Sequence, residues 1–205
     1  NYGIVRLNAD GSLDTSFGGV DTTNSSLKTG KALLDLGANT DDQAQSIVMQ
    51  ADGKILIAGY TNAQPTGGTG NSVNYGIVRL NADGSLDTSF GGVDTTNSSL
   101  KTGKALLDLG ANTDDQAQSI VMQADGKILI AGYTNAQPTG GTGNSVNYGI
   151  VRLNADGSLD TSFGGVDTTN SSLKTGKALL DLGANTDDQA QSIVMQADGK
   201  ILIAG

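Results

Sequence analysis

The chain has 205 residues, a net charge of −9, and neither cysteine nor histidine. This excludes a disulfide framework, a thiolate metal site and histidine acid–base chemistry. So acidic a surface repels nucleic-acid phosphates and anionic headgroups, and no apolar run approaches the roughly 20 residues that cross a bilayer as a helix; neither nucleic-acid binding nor membrane insertion is expected.

The chain repeats itself. NYGIVRLNADGSLDTSF begins at Asn1, Asn74 and Asn147, so the period is 73 residues and the units are 1–73, 74–146 and a shorter 147–205. All 21 acidic residues are Asp, and Gly contributes 30 positions. With Glu absent and Gly, Thr, Ser and Asn abundant, the composition favours strands and turns.

In the first copy, Tyr2–Leu7 predicts a strand and Asn8–Gly11 a turn, where Asp-Gly supplies the residue that tolerates positive φ. Ser12–Phe17 alternates and predicts a second, weaker strand, broken by Gly18-Gly19. The polar stretch from Val20 to Gly30 predicts a loop. Lys31–Leu36 predicts a short apolar strand, with helix as the alternative, and Gly37–Asp42 a second turn cluster. Gln45–Gln50 and Lys54–Gly59 flank Ala51-Asp52-Gly53, the pattern of a β-hairpin. Tyr60–Val73 predicts a loop, and its Gly67–Gly70 lacks the Lys of a phosphate loop.

Ile55, Leu56, Ile57 and Ala58 are apolar on both faces of their strand, as are Ile47 to Met49. A strand with one wet face would alternate, so these strands are expected between layers. One repeat cannot cover both its faces, and its neighbours must do so. Four strands per copy, in the order KALLDL, AQSIVMQ, KILIAG and YGIVRL, make one antiparallel propeller blade. The expected fold is all-β, with three propeller-like blades per chain. The N-terminal strand would complete a blade with the C-terminal strands of the same or another chain.

AQSIVMQADGKILIAGY followed by NYGIVRLNADGSLDTSFG resembles the delta-60 repeat of large bacterial surface and secreted proteins. The resemblance is carried by Asp42, Ala44, Ile47, Gln50, Asp52 to Leu56, Ala58 and Gly59, and by Arg6, Asp10, Gly11, Leu13, Asp14, Phe17 and Gly18. The extra length falls in 20–30 and 60–73. The resemblance implies a β-propeller-like fold and an extracellular or cell-surface location, and it carries over no catalytic residues.

Asn8, Asp10 and Asp14 place side-chain oxygens at the alternating spacing of a calcium loop, as do Asn81, Asp83 and Asp87, and Asn154, Asp156 and Asp160. The pattern is partial: no Glu closes it, and Gly comes early. The other reading is an Asp-Gly turn whose carboxylates accept backbone N–H bonds. No other cofactor is expected. Asp35, Asp41 and Asp42 cluster, but every carboxylate recurs in each copy, so no unique acid and base stand out. Their alternative is an Asx-type turn. Arg6 in an apolar strand suggests an ion pair with Asp14 or with another Asp across the blade. Tyr2, Phe17 and Tyr60 read as packing, with glycan contact as the second reading. Asn24-Ser25-Ser26 fits a glycosylation triplet.

Identical copies offer one surface three times, which suits multivalent binding or self-assembly rather than catalysis. The expected function is a non-catalytic structural or adhesive repeat segment forming a homo-oligomer or polymer, as a ring or a filament. The alternatives are a carbohydrate-binding propeller and a symmetric propeller engineered from one blade.

Overall fold

A computed structural model describes residues 1–20, 22–65, 71–92, 101–138, 145–165, 174–183 and 186–205. Among these every regular element is a strand. β1 (Tyr2–Val5) and β2 (Lys31–Leu34) form a two-stranded sheet. β3 (Asp42–Met49), β4 (Ile55–Thr61), β5 (Asn74–Leu80) and β6 (Lys104–Leu107) pair antiparallel in that order as a complete blade. β7 (Asp115–Met122), β8 (Ile128–Thr134), β9 (Asn147–Leu153) and β10 (Lys177–Leu180) repeat it, 73 residues on. β11 (Ser192–Met195) and β12 (Ile201–Ala204) form a second two-stranded sheet.

Each blade therefore takes its first two strands from one sequence copy and its last two from the next. The expected order had the KALLDL strand opening the blade; it closes it instead. Tyr75 pairs with Leu107 and Val78 with Lys104, so β6 turns back on β5 of its own copy. The short connection 37–41, which suggests a hairpin with the following strand, steps to the next blade. The expected strand over Ser12–Phe17 is also absent. Only Leu13 bridges, to Leu7. Asp10 Oδ1 accepts from Ser12 N at 2.9 Å and Asp14 Oδ1 from Ser16 N at 2.9 Å. These two Asx turns bend the chain away from an extended path.

The hairpin over 50–54 forms as its sequence predicts. Gly53 sits at φ 85°, and Gln50 N donates to Lys54 O at 2.8 Å. β4 and β8, the doubly apolar strands, are interior, and their apolar side chains are buried on both faces. Leu56, Ala58, Tyr75 and Ile77 of the first blade meet Ile120, Ile128, Ile130, Val151 and Leu153 of the second in one core. Tyr2, Ile4 and Leu34 meet Ile55, Ile57 and Val78 in another. Leu129, Ala131 and Ile150 meet Ile193 in a third. The cores lie between sheets, so neighbouring sheets do shield one another's apolar faces.

No helix among the described residues is long and apolar enough to cross a membrane. The Gly67–Gly70 segment and the triplets at Asn97 and Asn170 lie outside the described residues. In the first copy Ser26 N donates to Asn24 Oδ1 at 3.1 Å.

Candidate assembly interface

The joint between successive blades is a dense polar network, and it recurs after 73 residues. Arg79 leaves β5 and reaches three groups. Its Nε donates to Asp87 Oδ2 at 2.7 Å, Nη2 to Ser89 Oγ at 3.0 Å, and Nη1 crosses to Ala155 O of the next repeat at 2.5 Å. Its guanidinium carbon stands 4.6 Å from the centre of the Phe90 ring, a cation–π distance. Arg6 repeats the set with Asp14, Ser16, Ala82 O and Phe17. The planar fork explains why this position is Arg: Lys could not hold three acceptors and a ring at once.

Three further contacts cross each joint. Tyr2 OH donates to Gly76 O at 2.9 Å and Tyr75 OH to Gly149 O at 2.9 Å. Lys28 Nζ meets Asp83 Oδ2 at 2.8 Å, and Lys101 Nζ meets Asp156 Oδ2 at 2.8 Å. Gly18 N donates to Asp83 O and Gly91 N to Asp156 O, both at 2.9 Å. Gly18 holds φ 88°, and a side chain there would overlap the carbonyl of Lys31. Burial pushes the Tyr75 hydroxyl well above its ordinary range, so it stays a donor.

The calcium-type triplets lie in this joint, and their carboxylates are already occupied. Asn8 Nδ2 donates to Ser12 Oγ at 3.0 Å, and Asp10 Oδ1 accepts from Ser12 Oγ at 2.6 Å. Asn81 and Asn154 make the same bond to Ser85 and Ser158. Lys28 and then Ser85 hold Asp83 well below the usual carboxylate range, and Lys101 and then Ser158 do so for Asp156. Burial pushes Asp87 up, but Ser89, Lys54 and Arg79 outweigh it and the net shift is downward. Asp160 follows the same balance, with Ser162 and Arg152. Among the described residues no three acidic side chains gather into a group that could hold a metal ion.

The acidic cluster before β3 pins the step between blades. Asp42, buried, accepts from Leu36 N at 3.0 Å and from Thr40 Oγ1 at 2.9 Å. Its repeat mate Asp115 accepts from Leu109 N at 2.7 Å and from the Thr134 hydroxyl. Burial raises the Asp115 pKa to about 6. Asp114 Oδ1 accepts from Val73 N at 3.0 Å, and Asp35 from Gly37 N at 3.2 Å.

Sequence reasoning anticipated the Arg6–Asp14 pair and the Asx turns. It missed the Tyr hydroxyl and Lys28 contacts, which join residues 74 and 55 positions apart. The Tyr contact had a signal: glycines inside apolar strands mark a close approach. A Cβ on Gly76 would lie 2.7 Å from Tyr2 OH.

The family model described as "Domain of unknown function (DUF5122) beta-propeller" matches residues 1–17, 50–90 and 123–163. The matched segments run from the hairpin turn through the two central strands to the Arg–Asp–Phe joint. Over these segments the chain matches the DUF5122 β-propeller model, the type to which the delta-60 repeat corresponds. The DUF5122 segments thus hold Arg79, Asp83, Asp87 and Phe90, while β3 and β6 lie outside them. No curated protein matches the chain.

The two ends carry opposite halves of a blade. β1–β2 repeats the last two strands of a blade and β11–β12 the first two. Met49 beside the first half is 69 % exposed, and Leu202 in the second is 57 % exposed. At the equivalent position inside the molecule, Met122 packs against the inter-blade core. A separate groove of 470 Å³ runs along β6, between Leu106 and Leu159. It recurs one repeat earlier along β2, between Leu33 and Leu86.

Proposed function

We propose that this chain is a non-catalytic structural or adhesive repeat segment of an extracellular or cell-surface protein, and that its identical blades stack into a ring or filament. The observation that carries the reading is the joint. The same Arg, Tyr and Lys contacts form between the first and second repeats and again between the second and third. A surface that already pairs with its own kind twice suits multivalent assembly. The two end faces present the same apolar and polar groups to whatever repeat unit adjoins them. The carboxylates have separate structural partners, which supports a scaffold rather than an acid–base pair.

The test is the mass of the purified chain in solution, with electron microscopy of the particles. Particles holding more than one chain are expected. A chain that stays monomeric at micromolar concentration and captures no further repeat unit overturns the reading.

A second reading, glycan binding, draws on the recurring groove. Two copies at a fixed spacing suit a repeating ligand. Among the described residues no aromatic ring lines either copy, which weakens it, and a glycan array without signal would remove it.

A further inference from the structure

We infer that the last strand of a blade has a guarded outer edge, and that the guard keeps this strand from pairing with the same strand of a second copy of the chain. The inference concerns the flank of the blade and does not rest on the assembly reading above.

The ladder between β5 and β6 fixes which backbone groups point outward. Arg79 N donates to Gly103 O at 2.9 Å; next along, Val78 faces Lys104, Ile77 faces Ala105 and Gly76 faces Leu106. In an antiparallel pair, bonded and non-bonded positions alternate. Ala105 and Leu107 therefore bond to β5. The N–H and C=O of Lys104, of Leu106 and of Asp108 just past the strand point away from the blade.

Both ends of that edge are occupied. Lys104 O accepts from Gly92 N at 2.8 Å and from Thr102 Oγ1 at 3.1 Å, and Lys104 N donates to Thr102 Oγ1 at 3.3 Å. At the far end Asp108 O accepts from Lys177 Nζ, which crosses from the next blade. The same set closes β2: Gly19 N and Thr29 Oγ1 cover Lys31 O, and Lys104 Nζ covers Asp35 O. Among the described residues none bonds to the N–H or C=O of Leu106 on the outer side. A single residue with both groups open is too short a template for an added strand, whereas a longer bare edge invites one.

The sequence of the edge shows what the guard excludes. Lys104, Leu106 and Asp108 alternate along the chain and share one face. Two such edges paired antiparallel about Leu106 would set Lys104 of each copy opposite Asp108 of the other. Opposite charges facing across a ladder stabilise it, so the unguarded edge is complementary to itself. A second copy of this chain is thus the partner that fits it, through a two-fold contact.

The test opens one edge and then blocks it. Thr102→Val with Lys177→Met removes the cover from Lys104 N and Asp108 O while keeping the Lys104 and Asp108 charges. This variant is expected to keep the far-UV circular dichroism of the native chain and to show a light-scattering mass at least about two-fold higher at equal concentration. Adding Leu106→Pro is expected to return the mass to the native value. Proline there removes an outward N–H and breaks no ladder bond. If the double variant does not fold, Lys177→Met alone, which gives up one bond, is measured in the same way with and without Leu106→Pro. A folded variant of native mass overturns the inference, and so does a rise in mass that Leu106→Pro leaves in place.

Discussion

Arg6 and Arg79 make the same contacts at different depths. Both side chains fork onto an Asp, a Ser hydroxyl and a carbonyl of the next repeat, but Arg6 is 32 % exposed and Arg79 only 7 %. Breaking a buried ion pair strands its partner in low dielectric, whereas an exposed pair contributes little. Lys54 still pairs with Asp87 at 3.0 Å, so Arg79→Ala is expected to cost about 2 kcal/mol for its lost charged hydrogen bonds and Arg6→Ala at most about 1 kcal/mol, measured by urea denaturation. Equal losses would show that the contact, not its depth, sets the energy. Asp115 supplies a pH test. Its folded pKa, raised by burial to about 6, lies above the ordinary carboxylate value of 3.8. A raised acid binds more protons when folded, so its contribution is full below about pH 4 and fades as pH rises through 6. Asp115→Asn keeps the acceptor oxygen without the charge. The stability of this variant relative to the native chain is expected to rise between pH 4 and 7, by at most about 3 kcal/mol. A pH-independent difference would mean that the carboxylate is not desolvated. Asp83 and Asp87 act in the opposite sense. Their lowered pKa values give stability that is present at neutral pH and lost as pH falls below about 4.

At the level of strands, two glycines separate by what surrounds them. Gly132 in β8 faces the carbonyl of Gln116 where β7 bulges between Ala117 and Ser119, and a Cβ there would overlap that oxygen. A Cβ on Gly3 in β1 would meet only Leu33 Cδ2 at 3.8 Å. Gly132→Ala is expected to destabilise by about 2 kcal/mol or more, and Gly3→Ala by less than about 0.5 kcal/mol, read as shifts in denaturation midpoint. The four strands of the blade were legible in the sequence, because runs such as Ile55–Ala58 are apolar on both faces and flanked by Asp-Gly turns. Their order was not. Nothing in KALLDL says whether it pairs backwards across more than twenty residues or forwards across five, and tertiary packing chose the longer route. The Ser12–Phe17 alternation misled for a local reason: Asp10 and Asp14 spend their carboxylates on nearby N–H groups. The Arg–Asp pair could be read because its members lie eight residues apart, while the Tyr2–Gly76 contact needs the neighbouring blade to exist.

For the molecule as a whole, one residue type occupies two situations. Met49 is open to solvent beside the first half-blade, and Met122 packs against the core between blades. Met122→Lys is expected to lower the stability of the chain by at least about 2 kcal/mol, since an unpaired cation would enter that core. Met49→Lys is expected to leave the unfolding of the single chain nearly unchanged while weakening the proposed assembly. Light scattering and denaturation on the same samples separate the two, and a stable, fully associated Met49→Lys protein would rule out the β1–β2 end as a contact surface.

Because every blade straddles a sequence boundary, the chain has no privileged seam. Inserting a stretch of 73 residues in frame, at any position, would reproduce each existing turn, ion pair and strand partner and lengthen the stack by one blade. An insertion of any other length inside a strand would displace the partners downstream of it. Duplication and loss of a gene segment of that one length could thus change the number of blades in the chain while preserving the chemistry of each.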